Sequence, residues 1–473
     1  MTHPNSTRRD FLEALAVTGL ATTSLNASAQ NSHRVLINDV TGLNPVAVAR
    51  ELKPVATDEL QKAVKAWPGA LSIGGGRYSM GGQIAAPDSL HIDMRGLSGV
   101  VAYTPASRTI RVRAGTTWRS IQDHIDPHEQ SVKIMQSYSN FTVGGSVSVN
   151  CHGRYVGRGA LVNSVRALQL VLPNGEVVEA SRQRNAEIFR AAVGGYGGLG
   201  IITEVELDLE DNARIERVVK AISLEDYPTW FRQEVLGNSA VVLHNADLSP
   251  PNFNAPTAIS WLRTDKPVTD PRRLVPRGLR YAKEQNVIWA VSELPGGGTL
   301  RSVVESSLLD KPAVVWRNFE ASMDTASLEP RSRAISTYVL QEYFVPVANF
   351  HAFVRQMSDI LRRQESGALN VSIRHAPADK TSLLTWAPTE VFCFVLYYKQ
   401  RVTDSANQAT EAWTRELVEA TLRHRGRYYL PYRLHATKDQ FTRAYPEVAQ
   451  FVALKKQLDP GNRLRNMLWN RYL

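Results

Sequence analysis

The sequence has little cysteine and no long apolar run, and each absence excludes a class of protein. Its 473 residues contain only two cysteines, Cys151 and Cys393, too few for a disulfide framework. The Cys and Cys/His spacings of zinc sites are also absent, so we expect no metal centre. No apolar stretch approaches the roughly 20 residues that a membrane-spanning helix needs, so we expect no transmembrane segment.

The composition is that of a globular protein, with 43% hydrophobic and 21% charged residues. The length predicts two domains rather than one core. The formal net charge of +10 can attract nucleic acid, anionic surfaces or anionic substrates, but it also serves solubility alone. Because no nucleic-acid-binding motif accompanies the charge, we expect no nucleic-acid partner.

The first 30 residues resemble a bacterial twin-arginine signal peptide. The arginine pair Arg8-Arg9 precedes a mildly apolar stretch, and Ala27-Ser28-Ala29 follows as an A-x-A cleavage site. The alternative is an amphipathic helix with a chance arginine pair. We therefore expect a periplasmic or secreted protein, and we exclude residues 1–30 from the fold.

Short strands dominate the region from residue 54 to residue 212. Apolar periodicity predicts strands near 71–73, 90–94, 99–103, 109–114, 164–172, 177–180 and 201–209, and helices near 58–67, 118–125 and 186–193. Pro173-Asn174-Gly175 predicts a hairpin turn. A second region, mixed in helix and strand, begins near Arg214, with strands near 241–244, 334–345 and 391–398 and helices near 347–362 and 449–458.

Two glycine-rich segments have the character of phosphate-binding loops. Gly74-Gly75-Gly76-Arg77-Tyr78-Ser79 follows a predicted strand, and consecutive glycines let backbone N–H groups converge on one anion. Arg77 would add charge there and Ser79 a hydroxyl donor. Thr142-Val143-Gly144-Gly145-Ser146 is a second run of small residues, and it leads into His152-Gly153. For either segment alone, a tight turn is the plainer interpretation.

The third segment, Gly195-Tyr196-Gly197-Gly198-Leu199-Gly200, matches the dinucleotide fingerprint G-x-G-x-x-G. That motif requires a strand before it and a helix after it, and here the predicted order is the reverse. We therefore reject a Rossmann site. The P-loop pattern is absent as well.

The order and spacing of these segments resemble the FAD-binding domain of the vanillyl-alcohol oxidase superfamily over residues 55–209. Within that family, the sequence is most similar to sugar and lactone oxidases and to decaprenylphosphoryl-ribose oxidase. The resemblance rests on residues 74–79, His91-Ile92-Asp93-Met94, residues 142–145, His152-Gly153 and residues 193–202. The end of the chain, from Ala444-Tyr445-Pro446 to Leu458-Asp459-Pro460, fits the family as well.

The resemblance implies an α+β fold with a two-subdomain PCMH-type FAD-binding domain and an α+β cap domain built on an antiparallel sheet. It places the FAD domain at residues 35–212, the cap or substrate domain at 213–435, and a segment that returns to the FAD domain at 436–473.

The resemblance also implies which residues hold FAD. They are Gly74, Gly75, Gly76, Arg77, Tyr78, Ser79, Thr142, Gly144, Gly145, Ser146, His152, Gly153, Gly195, Gly200, Ile201 and Ile202. Many members carry a histidine just before the serine of the first loop, and it bonds covalently to the flavin. Here Tyr78 occupies that position, so we expect non-covalent FAD.

Five residues are candidates for the chemistry, although each also has a structural interpretation. Tyr432 could serve as a base if a cation such as Arg433 lowered its pKa, and Arg433 could instead steady the reduced flavin; both could equally be packed residues of an aromatic strand. Glu342 lies in an apolar strand, on its solvent face or in a site. His375 and Cys393 are further candidates, with structural and buried-core alternatives.

The leading function is oxidation of a hydroxyl of a sugar, lactone or related polyol by hydride transfer to FAD. The first alternative is a flavin dehydrogenase or reductase that uses a quinone or another acceptor instead of oxygen. The second is a flavin-binding protein without turnover. The basic charge also raises the possibility of an anionic substrate.

Overall fold

The computed structural model describes residues 34–293 and 311–473. The predicted signal peptide, residues 1–30, lies outside these ranges. The described residues between Arg34 and Leu473 pack as one compact unit. The domain boundaries near residues 212 and 435, and the division of the FAD domain into two subdomains, therefore remain predictions.

The strands are numbered in chain order. They are β1 (Val35–Ile37), β2 (Val46–Val48), β3 (Arg50–Leu52), β4 (Leu71–Gly74), β5 (Leu90–Asp93), β6 (Val100–Thr104), β7 (Thr109–Arg113), β8 (Gln130–Val132), β9 (Val165–Val171), β10 (Val177–Ser181), β11 (Ile201–Asp211), β12 (Arg214–Ala221), β13 (Val241–Leu248), β14 (Thr257–Arg263), β15 (Val314–Trp316), β16 (Ser336–Pro346), β17 (Ala368–Ala376), β18 (Val391–Arg401) and β19 (Arg427–Tyr428).

The helices lie between these strands and after them. They span Thr57–Ala66, Trp118–Ile125, Val143–Ser148, Ala186–Ala192, Tyr227–Trp230, Ala282–Glu293, Arg317–Ala321, Phe350–Arg363, Asp404–Arg423, Lys438–Ala444, Val448–Leu458 and Met467–Tyr472. No helix among the described residues is both long and apolar enough to cross a membrane.

The first half of the chain builds three sheets, and the smallest is the antiparallel pair of β1 and β2. Strands β3, β5 and β4 form a small parallel sheet with β5 in the centre. The larger sheet is antiparallel in the order β10-β9-β11-β7-β6, and β8 pairs with the end of β11. The predicted hairpin is confirmed, because β9 and β10 pair across the turn that contains Gly175 at φ +81°.

The second half builds an antiparallel sheet in the order β15-β12-β14-β13-β17-β18-β16-β19. The prediction of an α+β fold with an antiparallel sheet in the second region is therefore confirmed. The third glycine segment lies between the helix Ala186–Ala192 and β11, so the order that argues against a Rossmann site is confirmed as well.

The two faces of this second sheet have different neighbours, and this difference positions the site. The helix Phe350–Arg363 buries Phe353 against Tyr343 of β16 and Phe394 of β18. Side chains alternate between the faces of a strand, so Glu342 and Val395 point away from that helix. Their face borders the main cavity.

The end of the chain contacts the first half. Lys455 Nζ, which is buried, donates to the carbonyl of Gly198 at 2.9 Å and pairs with Asp459. Arg463 donates to the carbonyls of Val64 and Trp67, at the C-terminal end of the helix Thr57–Ala66. These bonds hold the last residues against the strand-rich first half.

Candidate flavin and substrate site

A cavity of about 1280 Å³, part of it open to solvent, lies between the first glycine loop and the second sheet. Its walls come from residues 75–80, 136–152, 325–333 and 429–432 and from the free face of β16, β17 and β18. Parts of the chain that are far apart in sequence therefore meet at one place.

A narrower slot adjoins this cavity. Ile73, Gly144, Tyr196, Gly200 and Ile202 line it. Both spaces have Gly75, Ser79, Thr142 and Gly145 in their walls, so they lie on either side of the same residues. An elongated ligand with one end in the slot and the other in the broad cavity fits this shape.

Close packing of two backbone segments explains the glycines between slot and cavity. A Cβ atom on Gly75 would lie 2.3 Å from Thr142 Oγ1, and a Cβ atom on Gly145 would lie 2.9 Å from the same atom. A Cβ atom on Gly144 would meet Ala114 Cβ at 2.7 Å. Only glycine lets the first loop and the short helix Val143–Ser148 approach so closely.

Backbone donors are available at this contact. Within the part of the chain that the structure describes, the N–H groups of Arg77, Tyr78, Ser79 and Gly145 have no hydrogen-bond acceptor. Converging free N–H groups form an anion-binding nest, and the pyrophosphate of FAD is an anion of the required kind. The residues present thus fit an FAD molecule whose pyrophosphate lies between the two segments.

The Arg77 side chain does not supply the free positive charge that the sequence predicted for a phosphate site. Its guanidinium pairs with Glu51 at 2.6 Å and lies 3.6 Å from Asp93, so two carboxylates already neutralise its charge. Its backbone adopts φ +63°, which turns the peptide plane at the centre of the loop. Its contribution to an anion site is therefore the backbone N–H group rather than the predicted side-chain charge.

The other predicted FAD residues fall into two groups. Gly76, Ser79, Thr142, Ser146 and His152 line the broad cavity. Gly74, Gly153, Gly195 and Ile201 lie behind the walls instead: a Cβ atom on Gly153 would meet the carbonyl oxygen of Met135 at 2.2 Å, and one on Gly195 that of Ala191 at 2.1 Å. These glycines permit close packing and do not line the cavity.

Tyr78 lies in the cavity wall, at the position where a covalent histidine would stand by the resemblance. Its ring packs on Phe141 with centroids 4.4 Å apart, and its hydroxyl accepts a hydrogen bond from the Asn140 side chain. Burial raises the pKa of the Tyr78 phenol, so it stays protonated at neutral pH.

Glu342 is the central acidic group of the cavity and is only 3% exposed. Its Oε1 accepts a hydrogen bond from His152 Nε2, and its Oε2 accepts one from the Tyr432 hydroxyl at 3.2 Å. His152 is in turn fixed between aromatic rings, with Trp386 4.9 Å away. Of the two sequence alternatives for Glu342, the solvent face is thus wrong, and the carboxylate is held in a defined orientation.

Tyr432 does not meet the condition for a base. Burial raises the pKa of its phenol well above the usual value, and the nearby Glu342 carboxylate raises it further. The cation that opposes these effects is Arg374, not Arg433, and it does not offset them. Tyr432 is therefore protonated and donates a hydrogen bond to Glu342 in this structure.

Arg433, predicted beside the flavin, lies outside the cavity. It lines a separate groove with Glu411 and His435, and its Nη2 is 3.4 Å from Asn407 Oδ1. Burial lowers the pKa of its guanidinium. Because no part of Arg433 borders the cavity, it cannot steady a ligand there in this arrangement.

Strand register separates the last two candidates. Cys393 pairs with Phe344 and Arg374, so it shares the cavity-facing side of the sheet, but it is fully buried beneath its neighbours. Burial raises the pKa of its thiol well above the usual value. His375 points to the opposite face, where it bonds Glu390 at 2.8 Å and packs on Phe231. Neither residue lines the cavity.

Arg374, which the sequence reasoning passed over in favour of the adjacent His375, does line the cavity. Only the pairing of β17 with β18 decides which of the two residues faces the site. Gln136 and Tyr138 also line the cavity, from a loop without a sequence signal. No group of three or more His, Cys, Asp or Glu side chains suited to a metal ion occurs within residues 34–293 and 311–473.

Comparison with protein families gives two matches. Residues 49–181 match the FAD binding domain family, and residues 331–473 match the D-arabinono-1,4-lactone oxidase family. The first match contains both glycine segments of the nest. The second contains Glu342, Arg374 and Tyr432.

Individual relatives agree with these matches over shorter stretches. L-gulonolactone oxidase of Bos taurus is 30% identical over 135 residues, which are 28% of this chain and 30% of the relative. Cytokinin dehydrogenase 1 of Arabidopsis thaliana is 29% identical over 160 residues, 33% of this chain and 28% of the relative. Alditol oxidase of a Streptomyces species is 28% identical over 172 residues, 35% of this chain and 40% of the relative.

The aligned stretches thus span about a third of the length of these relatives. The two family matches, these relatives and the fit of the nest to a pyrophosphate together show an FAD-binding domain similar to the PCMH-type domain of the vanillyl-alcohol oxidase flavoproteins.

Proposed function

We propose that this protein is an FAD-dependent oxidoreductase that oxidises a hydroxyl group of a sugar, lactone or related polyol. The observation that carries the proposal is the buried Glu342 carboxylate, held by His152 and Tyr432 in a cavity whose walls include the first glycine loop. The printed names of two relatives, L-gulonolactone oxidase and alditol oxidase, support this substrate class.

Bound FAD would supply the acceptor for the hydride that leaves the carbinol carbon. The hydroxyl of the same carbon must also lose its proton, and Glu342 is the group in the cavity wall that can take it. His152 orients the carboxylate through Oε1, and Tyr432 occupies Oε2 until a substrate hydroxyl competes for it. The product is the carbonyl compound.

Residues 77–79 and Gly145 would bind the pyrophosphate through their N–H groups. Gly75 allows the contact between the two segments, and Gly144 allows the contact with Ala114. The FAD is held without a covalent bond, because Tyr78 takes the place of the histidine that forms that bond in many relatives.

The final electron acceptor has two candidates, oxygen and a quinone or similar compound. The relatives include an enzyme named as an oxidase, L-gulonolactone oxidase, and one named as a dehydrogenase, cytokinin dehydrogenase 1. Steady-state assays under air and with a dye acceptor separate the two cases. Peroxide formed in step with substrate use supports the oxidase, and turnover with the dye but without peroxide supports the dehydrogenase.

The experiment that tests the proposed function is anaerobic mixing of the purified yellow protein with a panel of alditols, sugars, lactones and sugar acids. We expect at least one compound to bleach the flavin. A protein that binds FAD and is bleached by dithionite but by no member of the panel would contradict the proposal and favour flavin binding without turnover.

A further inference from the structure

Arg374 is a cation in the cavity that has no partner among the described residues. Its Nε is buried and has no hydrogen-bond acceptor, and its terminal nitrogens form no hydrogen bond or ion pair with any residue that the structure describes. A guanidinium has five donors in a rigid fork, and leaving them unused in a partly buried site is unfavourable. The arrangement calls for an acceptor from outside the chain.

The other charged groups of the cavity already have partners. Arg333 pairs with Glu329 at 3.2 Å, Arg77 pairs with Glu51, and Glu342 is bonded to His152 and Tyr432. Arg374 is therefore the charged group of this lining that has no hydrogen-bonded or ion-paired partner among the described residues. The FAD pyrophosphate is assigned to the backbone N–H groups of residues 77–79 and Gly145, so it does not require Arg374.

Arg374 and Glu342 act on the same small volume. Both influence the ionisation of Tyr432, and Arg374 also influences that of Tyr138. By strand register, Arg374 lies opposite Phe344, two strands away, and Glu342 lies two residues from Phe344 along β16. Strand spacing and rise then place the Cα atoms of Arg374 and Glu342 about 12 Å apart. Both side chains lie on the same face of the sheet and line the same cavity, so a molecule of a few carbon atoms can contact both.

We propose that Arg374 binds a carboxylate of the substrate, so that the molecule oxidised is a polyhydroxy carboxylic acid rather than a neutral polyol or lactone. This inference rests on the oxidoreductase function proposed above and makes its substrate class specific. The planar fork of Arg374 matches a carboxylate in two-point geometry. A phosphate dianion fits less well, because Glu342 nearby would repel its second charge.

The test uses compounds that share one carbon chain and differ only in the group at C1: D-gluconate, D-gluconamide and D-glucitol, with the corresponding galactose and mannose series. Anaerobic flavin bleaching gives the rate for each compound. The wild-type enzyme is compared with Arg374→Gln, with Arg374→Lys, and with the charge control Arg362→Gln on the exposed end of the helix Phe350–Arg363.

We expect the wild-type enzyme to favour the carboxylate over its amide by about 10- to 100-fold in kcat/KM, the range for a charge-assisted hydrogen-bonded pair. Arg374→Gln should abolish this preference by lowering the rate for the carboxylate while the amide and the alditol react as before. Arg374→Lys should retain part of the preference, and Arg362→Gln all of it.

Two results would overturn the inference: a wild-type enzyme that prefers the amide or the alditol, and an Arg374→Gln variant that loses the same factor on all three compounds. Either result leaves the proposed oxidoreductase function standing. Propionate supplies a readout without turnover, since it has no hydroxyl to oxidise. We expect it, but not propionamide, to perturb the flavin absorption of the wild-type protein and not that of Arg374→Gln.

A protein that is bleached by no compound of the panel but whose flavin responds to propionate through Arg374 would contradict the proposed function and keep the carboxylate site. A wild-type protein whose flavin absorption changes with neither propionate nor propionamide would contradict the carboxylate site.

Discussion

At the scale of single residues, Glu342 decides what the cavity can do. It is a buried carboxylate whose two oxygens are held by His152 and Tyr432, in a wall that also carries Arg374. The phenol of Tyr432 stays protonated because burial and the Glu342 carboxylate both raise its pKa. The proton acceptor in the cavity is therefore the carboxylate and not the tyrosine.

Replacing Glu342 with Gln should lower kcat by about 100-fold or more, the loss that removal of a general base typically causes. Flavin content should stay the same, because Glu342 lies outside the glycine nest. The measurement is anaerobic flavin bleaching with the best substrate of the panel.

The matched control for that variant is Glu390→Gln, which removes the carboxylate of the His375–Glu390 pair on the helix-covered side of the sheet. We expect it to leave kcat unchanged. A large loss in Glu390→Gln together with normal activity in Glu342→Gln would reverse the assignment of the two pairs.

Tyr78 leads to a second prediction at this scale. Because a tyrosine stands where many relatives carry the flavin-bonded histidine, acid precipitation should release all yellow colour into the supernatant. Colour that remains in the pellet would contradict this expectation. Peptide mapping of the pellet would then be directed first at Cys151 and His152, which also line the cavity.

At the scale of elements, the contact between the first glycine loop and the helix Val143–Ser148 sets the shape of the nest. Thr142 lies at its centre: its Oγ1 accepts from the N–H of Gly76 at 3.2 Å and fills the space that a Cβ atom on Gly75 would need. Small changes in this contact therefore displace the N–H groups that face the pyrophosphate.

Gly75→Ala should weaken FAD binding by about 5- to 150-fold, since forcing an extra carbon into a packed contact typically costs about 1–3 kcal/mol. The measurement is titration of the apoprotein with FAD. Gly461→Ala is the control, because the nearest atom to its added Cβ would be Arg463 Cγ at 3.5 Å. Equal FAD affinity in both variants would show that the loop contact does not shape the nest.

Much of this element pattern could be predicted from the sequence. The strands, the hairpin at Gly175 and the reversed order around residues 195–200 follow from local alternation and turn chemistry, which act over a few residues. The glycines of the nest were also identifiable, because several glycine-rich segments fall within one strand-rich region.

The face of each strand could not be predicted in the same way. Arg374 and His375 are neighbours on β17, so they point to opposite faces of the sheet. Which of them enters the cavity depends on which face the helix Phe350–Arg363 covers, and the sequence of that helix does not reveal the face. The position of Arg433 was missed for a related reason: β19 ends at Tyr428, and the path of the chain beyond it follows contacts with distant residues such as Gln83. These are tertiary effects without a local signal.

At the scale of the whole molecule, several histidines are buried in neutral form. Burial lowers the pKa of His91 to about 4 and those of His244 and His435 to about 3. In the unfolded chain these groups titrate near the ordinary value of about 6.5. Between these values the unfolded state binds more protons than the folded state, so the free energy of unfolding falls as the pH is lowered from about 6.5 toward 4.

We expect His244→Gln to reduce the slope of stability against pH in this window, by up to about 1.4 kcal/mol per pH unit for one proton. The His244 ring forms hydrogen bonds with the side chains of Tyr227 and Ser260. Because the variant disturbs these hydrogen bonds, it should also lose some stability at neutral pH. Urea unfolding of the holoprotein at a series of pH values measures both effects. His128→Gln, at an exposed position, is the control. An unchanged slope in His244→Gln would contradict the inference that His244 is neutral in the folded protein.

The destination of the protein is a further prediction at this scale. From the Arg8-Arg9 pair and the Ala27-Ser28-Ala29 sequence we infer that the chain is exported by the twin-arginine route. Arg8→Lys together with Arg9→Lys should retain the full-length protein in the bacterial cytoplasm, as seen by fractionation and by the mass of the N-terminus. Processed protein in the periplasm from this variant would contradict the inference.

The most direct measurement of what this molecule does is an anaerobic titration of the flavin-loaded protein with the best hydroxyl compound, in which bleached flavin and product carbonyl are counted together. Oxidation at a cavity containing Glu342 predicts one carbonyl per flavin bleached in the wild-type protein, with Glu342→Gln bleaching at about a hundredth of the rate or less. Bleaching without a carbonyl product, or an equal rate in Glu342→Gln, would contradict that function for the site.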